Sequence, residues 1–413
     1  MDETMLYPRY RYVMAILFAI CASFTHIGFL ITSPMLVYLA KDFSVDIATA
    51  GYASTVHILA MGVFMFVGPS LLRKIDIRRT QLIGIGIEIL GVIACFFAPR
   101  FSALLAARVL TGMGHGLSGS CTNSIVAAWF PPRERPVLMT VNGLGVVGVT
   151  TLVYTCTMPL FHAFGDSWRL VMLLLSGILF AAFLSWLLFA RDNHTLNAHI
   201  REKNALEGRV INAFTDMKDA ITRRDVWMLC LFMGLGMMGA NGITTYLPQF
   251  LQNVRGYSDV DASAVVGITI GIGAVGTFLG GIATTVLGRR KIVILPFLTV
   301  STACIAAAIL TKESWLIALF LFLYAFTNNF RTPASQTITT ELRGATPTFV
   351  SSASALTYGA GFIGSFLTSP LLQIATRAVG ETYAMLVFVP LFFLSIVFAF
   401  LTPETGPKRG VRG

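Results

Sequence analysis

The chain alternates long apolar runs with short polar turns. A helix needs roughly 20 predominantly apolar residues to cross about 30 Å of hydrocarbon. Twelve runs meet that length: 12–39, 48–72, 80–98, 101–129, 136–161, 168–190, 225–252, 261–287, 291–310, 314–341, 347–376 and 382–402. The first, opening near Tyr12, is too long for the apolar region of a signal peptide and is expected to stay as the first helix. Only the segment from Arg191 to Arg224 is long between runs. It reads as a cytoplasmic linker, part helical and amphipathic. The pattern predicts an all-α membrane protein of twelve transmembrane helices: a six-helix half over 1–190, the linker over 191–224, and a six-helix half with a short cytoplasmic tail over 225–413.

Composition agrees. Of 413 residues, 55% are hydrophobic and 12% charged; a soluble domain carries about 25% charged residues. Surface-to-volume scaling leaves no soluble core able to absorb the excess. The net charge of +10 would suit nucleic acid, but its distribution excludes that partner. With the N-terminus inside, 22 Lys and Arg residues fall in cytoplasmic segments and six in outer loops. That is the positive-inside bias of a chain with both termini in the cytoplasm. The six cysteines all lie in apolar runs, with no metal-ligand spacing, and are expected as reduced packing residues. No metal site is expected.

Two internal repeats stand out. A basic turn precedes the third and ninth spans: Leu71 to Arg79, with Arg73, Arg78 and Arg79, and Gly280 to Lys291, with Gly281, Gly288, Arg289 and Arg290. Close-set glycines recur in the fifth and eleventh spans: Gly143, Gly145, Gly148, and Gly359, Gly361, Gly364. The first trio also spells a dinucleotide fingerprint, which needs a strand before it. Within an apolar span the spacing predicts close helix packing instead, and no cofactor is expected.

The turns resemble the G-x-L-A-D-R-x-G-R-R loop of the major facilitator superfamily. The second copy is the better match; in the first, Arg73 stands where the family has its aspartate. Arg108-x-x-x-Gly112-x-Gly114 and the string Ala128-Trp-Phe-Pro-Pro-Arg-Glu-Arg135 resemble the fourth helix and its exit in the anion-transporting branches: cyanate and nitroimidazole permeases, organic anion:cation symporters, nitrate/nitrite porters. Residues 143–149 depart from the drug/proton antiporter signature, having no proline after a glycine. The resemblance implies parallel six-helix repeats that alternate access to a midplane site. It also implies a cavity lined by the first, fourth, seventh and tenth helices.

Ionisable groups inside a bilayer are costly and are functional candidates. The spans hold Glu88, Arg108, Arg331, His26, His57 and His115. Arg331 lies past the middle of the tenth span, in the polar stretch Thr327 to Pro333 with Asn328 and Asn329. Its planar fork suits a carboxylate, nitrate or phosphate, and Pro333 suits a discontinuous helix. Pairing with Glu341 or with backbone carbonyls is the alternative. Arg108 lies roughly 10 Å into the fourth span and serves either structure or coupling. The histidines suit proton coupling or are neutral and satisfied. Glu88, on a helix peripheral in the family, is expected to pair with a neighbouring helix. Asn241, Tyr246 and Tyr358 are further lining candidates, equally explicable by packing.

Two buried arginines and no cavity carboxylate favour an anion. The expected function is secondary transport of a small organic or inorganic anion by proton symport or anion exchange, not enzymatic catalysis. Proton-coupled efflux of drugs or metabolites is the alternative. The expected partners are a small anionic substrate, protons and membrane lipid; a monomer in a bacterial plasma membrane is the expected setting.

Overall fold

A computed structural model describes residues 8–75, 77–131, 134–191, 218, 220–342 and 347–406. Most of the central linker, and Asp76 in the first basic turn, lie outside the described residues, as does the side chain of Arg73. Those described are helical throughout, with no strand among them. Among the described residues, ten helices are long and apolar enough to cross a membrane on their own. The fourth and tenth spans complete the twelve as pairs of shorter helices: Phe101–Ser120 with Thr122–Trp129, and Ser314–Phe330 with Thr332–Thr337.

The breaks have local causes. The first span is helical over Arg11–Leu30, turns through 31–35, and resumes over Leu36–Asp42. Pro34 in that turn has no N–H to continue the ladder. Ser33 N–H donates back to Leu30 O instead of Phe29 O, leaving Phe29 O without its helical donor. The tenth span breaks at Arg331, with Pro333 early in the next helix, as its sequence predicts. The second and eleventh spans are also interrupted, at Gly51 and Leu367.

The first six spans meet the last six along two seams, second against eleventh and fifth against eighth. Hydrogen bonds between the first six and the last six spans cluster at the end opposite the termini. Tyr38 and His162 both donate to Asp259 Oδ2, the latter at 2.7 Å. Tyr154 OH donates to Thr244 O at 3.0 Å, Thr55 bonds Ser369 at 3.1 Å, and Gln373 donates to Asp46. His162 also meets Asp166 through its other ring nitrogen, at 2.5 Å. That end is closed.

Toward the other end the fifth–eighth seam parts. Thr155 and Thr151 pack on Gly267 and Gly271. Gly148, one turn further along the same face, has nothing within 4 Å of where its Cβ would stand. Close packing of the glycine trios therefore holds for one copy and not the other. Gly359, Gly361 and Gly364 meet Phe66, Met237 and Met238, whereas Gly143 and Gly148 meet nothing and Gly145 only Ser23.

The basic turns anchor helix ends. Gly288 takes a left-handed conformation, φ +64°, closing the eighth span, and Arg289 and Arg290 follow it. Arg290 forms an ion pair with Glu341 and donates to Thr284 O at 2.6 Å. Gly281 has open space around it and Arg289 precedes the ninth span as its cap. Arg78 donates to Leu187 O at 2.6 Å, and Arg79 is exposed.

Candidate functional site

Apart from Arg290 at the second basic turn, the buried Arg, His and Glu side chains among the described residues lie in two places, one in each set of six spans. In the first, Arg108 is fully buried and its guanidinium donates to three backbone carbonyls: Ala53 O at 2.7 Å, Gly28 O at 2.6 Å and Phe29 O at 3.1 Å. Two of these acceptors belong to the last turn of the interrupted first helix. Helix ends leave carbonyls without intrahelical donors, and Arg108 caps this one from the fourth span.

Around Arg108 lie three imidazoles. His57 Nδ1 bonds Thr111 Oγ1 at 2.9 Å, and His57 Nε2 bonds His115 Nδ1 at 3.1 Å. The His26 ring stands edge-on to His115, centroids 4.8 Å apart, and its Nδ1 donates to Ala22 O at 2.9 Å. Phe29 stacks on His57 at 5.5 Å. His57 and His115 are buried; His26 is half-buried.

Glu88 does not make the helix pairing its sequence suggests. It is fully buried, and neither carboxyl oxygen has a hydrogen-bond partner. The group fits because Gly28 lacks a side chain: a Cβ there would lie 2.6 Å from Glu88 Oε1.

The second cluster surrounds Arg331 at the break in the tenth span. Arg331 is 7% exposed. Its Nη2 donates to Asn328 Oδ1 at 2.8 Å, and its guanidinium carbon lies 5.8 Å from the centre of the Phe232 ring. Nε is buried with no hydrogen-bond partner. No carboxylate pairs with Arg331 among the described residues; Glu341, the candidate partner, is held by Arg290.

The other candidates separate. Asn329 turns away, donating to Ala325 O at 2.9 Å and filling the notch at Gly273 of the eighth span. Asn241 ties the seventh span to the eleventh through Ser365 at 2.7 Å. Tyr358 is half-buried on the eleventh span. Tyr246 lies at the closed end, bonded to Ser369 at 2.7 Å and to Ala48 O. There it helps line a cavity of about 180 Å³ with Asp46, Gln249 and Arg377. Neither Arg331 nor the histidines line that cavity. Among the described residues, no hydrogen bond, ion pair or ring contact joins Arg331 to the histidines.

Sequence reading passed over Thr111, Phe29 and Phe232. Thr111 could have been found: it lies three residues after Arg108 and four before His115, on one helical face. The His162–Asp259 closure could not, because its residues are distant in sequence and lie near span ends.

The sequence model of the Major Facilitator Superfamily matches residues 18–343. The chain belongs to this superfamily. It is a multi-pass integral membrane protein with the superfamily's fold. Among curated relatives it is similar to the lincomycin resistance protein of Bacillus subtilis, 30% identical over 109 residues, 26% of this chain and 23% of that protein. It is also similar to the hexuronate transporter of the same organism, 24% identical over 291 residues, 66% of each chain. The matches thus span less than two thirds of these relatives' lengths. Among solved structures it superposes on a bacterial homolog of the human lysosomal transporter Spinster, in an inward-facing and unoccupied conformation. That superposition has a TM-score of 0.79 and 16% identity, and covers 96% of this chain and 97% of that one.

Proposed function

We propose that this superfamily member carries a small organic anion across the membrane by alternating access, with Arg331 holding the anion. The observation that carries the reading is a buried guanidinium with unused donors at a helix break. An unpaired buried cation is costly, and an anionic cargo offsets that cost where no protein carboxylate does. A guanidinium matches a carboxylate with two parallel N–H···O bonds. Similarity to a hexuronate transporter supports this substrate class, since a hexuronate is a sugar acid bearing one carboxylate.

In this reading the termini are cytoplasmic, the closed end faces outward, and the parted fifth–eighth seam opens inward. The molecule works as a monomer. The match to a lincomycin resistance protein favours the second reading, proton-coupled efflux. Against it, Glu88 is walled off behind the first span and cannot meet a cationic drug directly.

Ligand-induced thermal stabilisation separates the two, because whatever binds the folded state raises its apparent stability. The panel is glucuronate, nitrate, glucose and tetraphenylphosphonium. Stabilisation by glucuronate that disappears in Arg331→Gln is the expected result. Stabilisation by tetraphenylphosphonium alone, undiminished in Arg331→Gln, would transfer the assignment to efflux.

A further inference from the structure

We infer that His115 and His26 are the proton-accepting groups of this carrier, and that a proton enters together with the anion. The inference rests on the anion reading above and adds the coupling ion and its seat.

We assign the histidine tautomers from the hydrogen bonds around Arg108, with the Thr111 hydroxyl hydrogen placed on Arg108 O. Thr111 donates its hydroxyl hydrogen to Arg108 O at 2.8 Å. Its oxygen therefore accepts from His57, whose Nδ1 carries the hydrogen of their 2.9 Å bond. Neutral His57 then has a lone pair on Nε2, so the 3.1 Å bond to His115 is donated by His115 Nδ1–H. That leaves the lone pair of His115 on Nε2. His26 reaches the same state independently: Ala22 O can only accept, so His26 Nδ1 carries the hydrogen and Nε2 the lone pair. Neither Nε2 has a hydrogen-bond partner, and neither is among the fully buried unpartnered atoms. Two neighbouring imidazoles thus present bare acceptors, on rings 4.8 Å apart.

This chain stores a proton rather than conducting one. A proton arriving at His115 Nε2 forms one N–H bond there. The His115 Nδ1 proton can then shift to His57 Nε2, breaking one N–H and forming another, so the charge moves one ring inward. Beyond His57 the path reaches Thr111, whose hydroxyl hydrogen is held on a backbone carbonyl that cannot pass it on. The proton therefore leaves by the side it entered.

The charged groups facing this store are known. Arg108 of the fourth span supplies a fixed positive charge, used on carbonyls. Glu88 of the third span contributes a buried carboxyl, and the second span contributes His57 itself. Residues 141–161 and 170–189, the lipid-crossing parts of the fifth and sixth spans, carry no Asp, Glu, Lys, Arg or His. Arg108 and the shared bond oppose a second charge, so the histidines take up one proton between them. Proton and anion bind with favourable coupling because their charges are opposite. Linkage makes that coupling reciprocal, so a bound anion favours the protonated store and a stored proton favours the bound anion.

The test is proton uptake on binding. Glucuronate is added to purified full-length protein in weakly buffered detergent solution, with a pH indicator and calorimetry in parallel. The wild type is expected to take up about one proton per anion bound. Its affinity then falls about tenfold per pH unit where one proton is linked. The double variant His26→Gln, His115→Gln binds with neither uptake nor pH slope; each glutamine keeps an N–H donor in place of the ring. Anion binding without uptake by the wild type would overturn the inference and leave the anion reading intact. Uptake that survives the double variant but vanishes in Glu88→Gln would move the proton to Glu88. Absence of glucuronate binding would overturn both. A ligand-free measurement stands beside these: nitrogen-15 NMR of the histidine rings should show the Nδ1–H tautomer at His26, His57 and His115. The Nε2–H tautomer at His26 or His115 would contradict the assignment.

Discussion

Arg108 and Arg331 are both buried within spans, away from the basic turns, and the protein treats them differently. Arg108 reaches across to the interrupted first helix and meets three carbonyls. Arg331 stands at its own helix's break with one side-chain acceptor and an unpartnered Nε. A guanidinium has five N–H donors. Where the fold engages all three nitrogens, as at Arg108, the residue acts as a bracket; where it leaves Nε unpartnered, as at Arg331, donors remain free to take a ligand. Burial alone, common to both, does not distinguish these roles.

The sharpest way to break the contrast is to remove each charge in turn. Arg108→Gln leaves Gly28 O and Phe29 O, at the broken end of the first helix, short of a donor, at about 1–3 kcal/mol each where no relaxation follows. A fall in melting temperature large enough to depress expression is expected, readable by thermal denaturation in detergent. Arg331→Gln should leave stability within about 1 kcal/mol, since removing an unpaired buried cation also removes its desolvation cost. The same change should weaken anion binding roughly tenfold to hundredfold, the value of a hydrogen bond to a charged group. Equal destabilisation by both variants would erase the distinction.

A second, smaller effect concerns the two ends of the molecule. On the fifth span, Thr155, Thr151 and Gly148 share one face, of which the first two pack against the eighth span. Val275 and Phe278 stand exposed on the eighth span further toward the open end. Closure of that end would bring Gly148 against this apolar face. Gly148→Phe should therefore keep the fold and anion binding while transport into proteoliposomes falls roughly tenfold or more, because the second access state is blocked. Unchanged transport would remove Gly148 from the moving seam.

The smallest effect lies at the closed end. Burial pushes the Asp46 carboxyl up, but bonds from Thr49 N–H, the Thr49 hydroxyl and Gln373, with the Arg377 charge, outweigh it and hold the group below its usual value. A carboxylate depressed in the folded state contributes stability that is present above its unfolded pKa and is lost as pH falls through the folded one. The Asp46 contribution to the closed end should therefore be lost only in acid, below about pH 4. Asp46→Asn should flatten that acid limb in a pH series of melting temperatures. An unaltered limb would show that Asp46 does not hold this end shut.

Much of the architecture was legible in the chain. Twelve apolar runs, the biased lysines and arginines, and the break beside Pro333 follow from local sequence. So does the prominence of Arg331, a charge amid Asn328, Asn329 and Thr327. What was not legible depended on partners distant in sequence. Arg108 reads as either structural or coupling until the interrupted first helix offers it carbonyls some 80 residues away. Glu88 looked destined for a helix partner, yet it lies in the notch of Gly28 with none. Tyr246, on a cavity helix by count, belongs to the closed end. Histidine content suggested protons, but the proposed tautomers rest on the contacts of Thr111, His57 and His115 and of His26 with Ala22, which only the fold brings together.

The measurement closest to the central claim is calorimetric titration of glucuronate into the wild type, Arg331→Lys and Arg331→Gln at one pH and salt concentration. Lysine keeps the charge but loses the planar fork, so the predicted order of affinity is arginine, then lysine, then glutamine, with unaltered melting temperatures. Equal affinity in all three proteins would contradict the assignment of the anion to Arg331.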